Sequence, residues 1–178
     1  LSGNGHDHDM LTPESLAVTV APAPPGGPFS AADRRRLSGP GLRAFAAIAD
    51  QWGLGETERM RMLGLPGRST YFGWLAKARA GMALTLPLDT LLRISAVLGI
   101  HKAMRILFTD DRAALDWLHS PNDGPLFGGQ PPLALAANGT QDGLLLLRRH
   151  LDAWRGGLFA GPLPALDDVA APIGDDDI

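Results

Sequence analysis

The sequence predicts an all-helical protein, and three observations carry that reading. Apolar residues recur at three- and four-residue spacing through most of residues 42–154. No stretch shows a convincing two-residue alternation of apolar and polar side chains. The periodic runs are separated by glycine- and proline-containing stops. With 178 residues, 45% of them hydrophobic, the chain is long enough to bury a core. The apolar stretch near Leu16 to Ala23 is too short for a bilayer span and is interrupted by proline. No basic region precedes it, so export is not expected and the protein is read as cytoplasmic. The absence of cysteine excludes disulfides and thiol chemistry.

The net charge of −3 conceals two opposed halves. From Ala31 to Arg112 there are thirteen Lys/Arg against seven acidic residues, a balance of +6. From Ala113 to Ile178 there are three arginines against nine aspartates, a balance of −6. The first half is therefore the one suited to phosphates.

Residues 1–38 are read as a disordered arm, because up to about Ser30 they have no helical or strand period and are rich in Gly, Pro and Ala. His6-Asp7-His8-Asp9 within the arm offers metal-ligating types without fixed geometry, so no metal site is assigned. The basic run Arg34-Arg35-Arg36 follows. The first predicted helix spans Leu42 to Trp52, with Phe45, Ile48, Ala49 and Trp52 on one face, and Gly53-Leu54-Gly55 stops it. A second helix is expected from Glu56 to Leu63, with Gly55 at the N-cap, Glu58 three positions on, and Met60 and Leu63 inward.

The turn Gly64-Leu65-Pro66-Gly67 leads into a third helix, from about Ser69 to Ala80, that buries Tyr71, Leu75 and Ala78. Two short helices joined by a tight glycine-containing turn form the pattern of a helix-turn-helix. Any small helical bundle has turns of this kind; the clustering of Arg59, Arg61, Arg68, Lys77 and Arg79 around this one favours operator DNA as its partner. Ser69, Thr70, Trp74 and Lys77 are the candidate groove residues, with Arg68 and Arg79 near phosphates. Gly73 in the middle of this helix costs about 1 kcal/mol against alanine, which fits either close backbone approach to DNA or weakened DNA binding.

Two further helices are expected, Leu88 to Leu98 ended by Gly99, and His101 to Phe108 with Met104, Leu107 and Phe108 inward. Asp110-Asp111 starts another that carries Ala114, Leu115, Trp117 and Leu118. A turn at Ser120 to Gly124, a Phe127-Gly128-Gly129 loop and a proline-led start at Pro131-Pro132-Leu133 follow. A short helix from Leu133 to Ala137 closes at Asn138-Gly139. Thr140 then caps a helix to Trp154 that aligns Leu144, Leu147, Leu151 and Trp154. The four successive leucines at 144–147 make it apolar over more than one face, as expected of a helix covered from two sides. Residues 161–178 are read as a flexible acidic tail.

No catalytic constellation emerges. Asp110, Asp111, Asp116 and Asp123 follow helix-start and turn logic, and no P-loop, HExxH, GxSxG or zinc spacing is present. The chain is therefore read as a non-enzyme without a cofactor.

The run Leu98-Gly99-Ile100-His101-Lys102-Ala103, then Trp117-Leu118, Pro121-Asn122, Phe127-Gly128-Gly129, Pro132-Leu133 and the helix closing at Trp154-Arg155-Gly156-Gly157 resembles the Xre/MbcA/ParS family of bacterial antitoxins. The resemblance covers about Leu42 to Ala160 and implies an Xre-like helix-turn-helix region, here residues 39–108, followed by a small helical toxin-binding domain, here residues 109–160. It implies a RES-domain toxin as partner, one that consumes NAD or transfers ADP-ribose and whose active site is occluded, together with repression of the antitoxin's own operon. It also implies a homodimer within a hetero-oligomeric complex. Asn122, Phe127, Gly128, Pro132 and Leu133 become scaffold or toxin-facing positions. Arg148, Arg149, Trp154, Arg155 and Gly157 become the plug, while Trp117 is expected to pack inward. A reading of a different class is a stand-alone dimeric DNA-binding repressor whose second half only dimerises.

Overall fold

The computed structural model describes residues 30–157. Among them are seven helices and no strand: Ala31–Gln51 (α1), Glu56–Met62 (α2), Arg68–Arg79 (α3), Leu88–Leu107 (α4), Asp111–His119 (α5), Pro132–Ala136 (α6) and Gln141–Arg155 (α7). The all-helical expectation therefore holds across the described chain. None of these helices is long and apolar enough to cross a membrane. The His6 to Asp9 run and the acidic stretch expected over residues 161–178 lie outside the described residues.

The start of α1 differs from the expectation. Residues 31–38, read as part of the arm, are its first turns, so the Arg34 to Arg36 run is helical. Ser30 caps them, accepting the Asp33 N–H at 3.2 Å and donating to the Asp33 carboxylate at 2.7 Å. Those bonds, with Arg36 beside them, hold the Asp33 carboxyl below its usual range. Pro40 lies inside this helix, where proline removes one hydrogen bond at a cost of about 3 kcal/mol. Burial on both sides offsets that cost: Ser38, Leu42 and Phe45 are fully buried. Ser38 also fixes the connection into α4, donating to the Arg34 carbonyl at 2.6 Å and accepting the Leu86 N–H at 2.9 Å.

A second difference concerns α4, which runs unbroken through Gly99 where a stop was expected. α4 packs against α1, α7 and α5, so most of the core converges on it. Glycine at position 99 serves close approach: a Cβ there would lie 2.6–2.8 Å from the Cζ, Nε and Nη1 atoms of Arg148 on α7. Tertiary contact thus outweighs the local helix-stopping tendency of glycine.

Elsewhere the local rules explain the ends. Asp110 caps α5 through the Ala113 N–H at 2.7 Å, and Thr140 caps α7 through the Gly143 N–H at 3.0 Å. The Gly55 N–H donates to Glu58 at 2.9 Å, half a capping box. In α2 it is Met62 and Leu63 that are buried, and Met60 only partly so. α7 buries Leu144, Leu147 and Leu151 completely, while Leu145 and Leu146 remain half-exposed. This helix is therefore covered by the core on one side, and its remaining apolar surface is open.

Candidate functional site

Two surfaces present the candidate side chains. The first is built by α2, α3 and the turn between them. Gly64 (φ 89°) and Leu65 (φ 59°) both adopt the left-handed conformation, which is uncommon for a side chain like leucine and costs about 1–2 kcal/mol. The turn is held from behind by α4. The Thr90 hydroxyl donates to the Leu63 carbonyl at 3.3 Å, and a Cβ on Gly64 would fall 2.9 Å from the Asp89 carboxylate and 3.1 Å from Arg93 Nε. Arg93 is buried; its Nε donates to Asp89 at 2.8 Å and its Nη1 to the Gly139 carbonyl at 3.1 Å. One guanidinium therefore joins the wall behind the turn to the connection between α6 and α7.

On α3, Tyr71, Leu75 and Ala78 face the core as expected. Ser69, Thr70, Gly73, Ala76 and Lys77 are exposed, and Arg79 is exposed at the helix end. Trp74 departs from its expected exposed placement, and Arg68, though exposed as expected, already has partners. Trp74 is half-buried against the core. Arg68 is engaged by Glu56 at 2.5 Å, which raises its pKa, and its guanidinium lies 5.0 Å from the Phe72 ring centre. Phe72 itself is 43% exposed. Sequence reasoning missed it, although an aromatic off the Tyr71-Leu75-Ala78 face was a visible signal.

The second surface lies around α7. Its three arginines have three different environments. Arg148 is pinned over Gly99, donating to the Ser95 carbonyl at 3.3 Å with Asp152 at 3.6 Å. Arg155 pairs with Asp152 at 3.3 Å. Arg149 is exposed and has no carboxylate partner among the described residues. Beside them the ends of α4, α5 and α7 assemble an aromatic cluster. Phe108 lies 5.5 Å from Trp117 and 5.6 Å from Trp154, and Phe127 closes the cluster 5.1 Å from His150. Partial burial holds the His150 imidazole below the ordinary histidine pKa.

The loop that supports this cluster is built as its sequence suggests. Asn122 receives the Gly124 N–H on its side chain and the Gly129 N–H on its carbonyl, both at 2.9 Å. Gly128 and Gly129 have positive φ, as the chain needs at that bend. Pro132 and Leu133 are buried at the start of α6. α6 then meets α7 so closely that a Cβ on Gly143 would overlap the Leu135 carbonyl oxygen.

Comparison with known proteins agrees with this two-part construction. Residues 31–99 match the model of the antitoxin Xre-like helix-turn-helix domain, and residues 103–157 that of the antitoxin Xre/MbcA/ParS C-terminal toxin-binding domain. The chain belongs to the Xre/MbcA/ParS antitoxin family. The uncharacterized protein y4oB of Sinorhizobium fredii is 45% identical over 116 residues, 65% of this chain and 84% of that protein. In this antitoxin the boundary between the two matched domains falls inside α4, so one helix serves both.

Among the positions expected to face the toxin, Phe127, Pro132 and Leu133 are buried, and Asn122 shapes a turn. They act as scaffold. Arg149, Arg155, Gly128 and Gly157 lie on the surface, and Trp154 and Trp117 are half-exposed within the aromatic cluster. Phe108, expected from sequence only as an inward residue, and His150, not singled out there, belong to the same group. Their spacing along the chain gives no hint that three helix ends meet.

Proposed function

We propose that this antitoxin neutralises a RES-domain toxin that consumes NAD or transfers ADP-ribose, by seating the outer face of α7 and its exit at Gly157 over the toxin's active site. The observation that supports this is the contrast among the α7 arginines. Arg148 and Arg155 are held by the chain's own groups, whereas Arg149 presents an uncommitted guanidinium to solvent. A site that binds a dinucleotide attracts phosphate, so its cationic groups would repel Arg149, but its carboxylates and the loops around it offer partners. The half-exposed Trp117 and Trp154, at the carboxyl ends of α5 and α7, supply the apolar anchor that a protein interface needs. In the cell the chain acts as a homodimer within a hetero-oligomeric complex, which the uncharged groove between α1 and α4, lined by Leu37, Pro40, Ala44 and Leu98, supports.

The same chain represses its own operon through α3, with Ser69, Thr70 and Lys77 reaching base edges and Arg79 near phosphates. The deciding experiment is co-purification of the full chain from cells that also express the neighbouring open reading frame. An NAD-depleting partner that co-purifies, and whose toxicity the chain abolishes, is the expected result. If no such partner is retained while operator binding persists, the stand-alone repressor is the correct reading.

A further inference from the structure

The Arg34-Arg35-Arg36 run has no part in either surface described so far, and its placement in α1 gives it one. Arg35 and Arg43 lie two turns apart on one face of α1, a separation of about 12 Å along the helix. They line one groove together with Gly81 and Met82, the residues that follow α3. Arg43 also lines the adjoining groove, where it meets Arg79 of α3 and Asp50 of α1. The two grooves thus share a wall and form a continuous trough between α1 and α3, with Arg35, Arg43 and Arg79 along it.

The acidic groups nearby are already committed. Asp50 is paired with Arg59 at 2.8 Å, and Asp33 with Arg36 at 3.2 Å. Arg43 donates to the Ala78 carbonyl at 2.8 Å, so its position has a helix-capping reason, and Lys77 and Arg79 complement the carboxyl end of α3. Arg35 has no such explanation. It is exposed, and it makes no ion pair or hydrogen bond among the described residues.

We propose that the α1–α3 trough is a second phosphate-binding strip, on which one strand of duplex DNA lies while α3 occupies the groove. The inference rests on the operator-binding reading above and extends it from the α2–α3 pair to α1 of the same domain. B-DNA carries one phosphate per roughly 3.4 Å of helix axis on each strand, so the span from Arg35 to Arg43 is long enough to meet more than one phosphate of one backbone. Contacts of this kind set register and affinity without reading sequence.

The test is a fluorescence-anisotropy titration of the full chain with a duplex from its own promoter region and with a scrambled duplex, across a salt series. Arg35→Ala is expected to weaken both duplexes by a similar factor, about three- to tenfold, and to reduce the slope of log K against log salt by about 0.9 for the lost phosphate contact. Arg35→Lys is expected to restore most of both. Unchanged affinity and slope in Arg35→Ala, with Lys77→Ala still weakening binding, would overturn the strip and leave operator binding intact. Absence of binding to either duplex by the unaltered chain would overturn both. Because Arg35 is exposed, a far-ultraviolet spectrum and melting curve matching those of the unaltered chain are expected and separate lost contact from lost fold.

Discussion

The guanidinium of Arg148 occupies the space that a side chain at position 99 would need: a Cβ on Gly99 would lie 2.6 Å from its Cζ. The atoms in the way belong to the far end of a flexible side chain rather than to backbone, so the clash can be relieved by Arg148 swinging out. Gly99→Ala is therefore expected to fold. The gain in helix propensity, about 0.8–1.0 kcal/mol, is offset by loss of the Arg148 bond to the Ser95 carbonyl, leaving stability within about 1 kcal/mol of the parent. Urea denaturation checks this, and a loss above about 2 kcal/mol would contradict it.

Gly143 presents the opposite case. A Cβ there would overlap the backbone carbonyl of Leu135, which cannot move without shifting α6. Gly143→Ala is expected to destabilise the protein by about 1–3 kcal/mol, in the range of core overpacking, and to lower the melting temperature accordingly.

At Gly73 on α3 nothing lies within 4 Å of the missing Cβ. Gly73→Ala should stabilise the chain by up to about 1 kcal/mol. Its effect on operator affinity distinguishes the two sequence readings of this glycine. Close backbone approach to DNA predicts weaker binding in the variant, whereas equal or tighter binding shows that the position has no such role.

Acid should weaken the fold through two imidazoles. Desolvation lowers the pKa of His150, and desolvation with Arg105 nearby lowers that of His101, each from an ordinary 6.5. The unfolded chain then takes up protons that the folded chain resists. Their contribution to stability is complete above the unfolded value, near 6.5, and is lost as the pH falls from there through the lower folded values. The urea midpoint is expected to drop below about pH 6.5, and His150→Gln should make that drop shallower.

Removal of Arg149 addresses the toxin surface. Arg149→Ala is expected to leave the melting temperature unchanged, since the side chain is exposed, while speeding dissociation of the toxin complex about tenfold or more. Arg155→Ala should have a smaller effect, because Asp152 already engages that guanidinium. Surface plasmon resonance with the co-purified toxin measures both, and equal effects would argue against a distinct role for Arg149.

Helical periodicity made the fold class legible, along with the buried faces of α3 and α7 and the caps at Asp110 and Thr140. Punctuation was the weak point. Gly99 reads as a stop because local propensity disfavours glycine in a helix, and only its contact with Arg148, distant in sequence, explains why glycine stands inside a continuing helix. The candidate site was legible as segments but not as neighbours. Nothing in the sequence pairs Arg68 with Glu56, or brings His150 onto Phe127, since those meetings depend on how helix ends converge. Burial of Leu133 and Phe127 likewise separates support from contact in a motif where sequence alone treats both alike.

α4 has no joint between the part matched as a helix-turn-helix and the part matched as a toxin-binding domain, and Arg93 adds a polar tie across the same division. Neither portion retains a complete core if the other melts, so the described chain should unfold in a single cooperative transition despite its two-part ancestry. A protease that gains entry at either portion therefore eliminates both at once. On the function proposed above, promoter control and toxin restraint would then share one lifetime, set by the supply of this antitoxin.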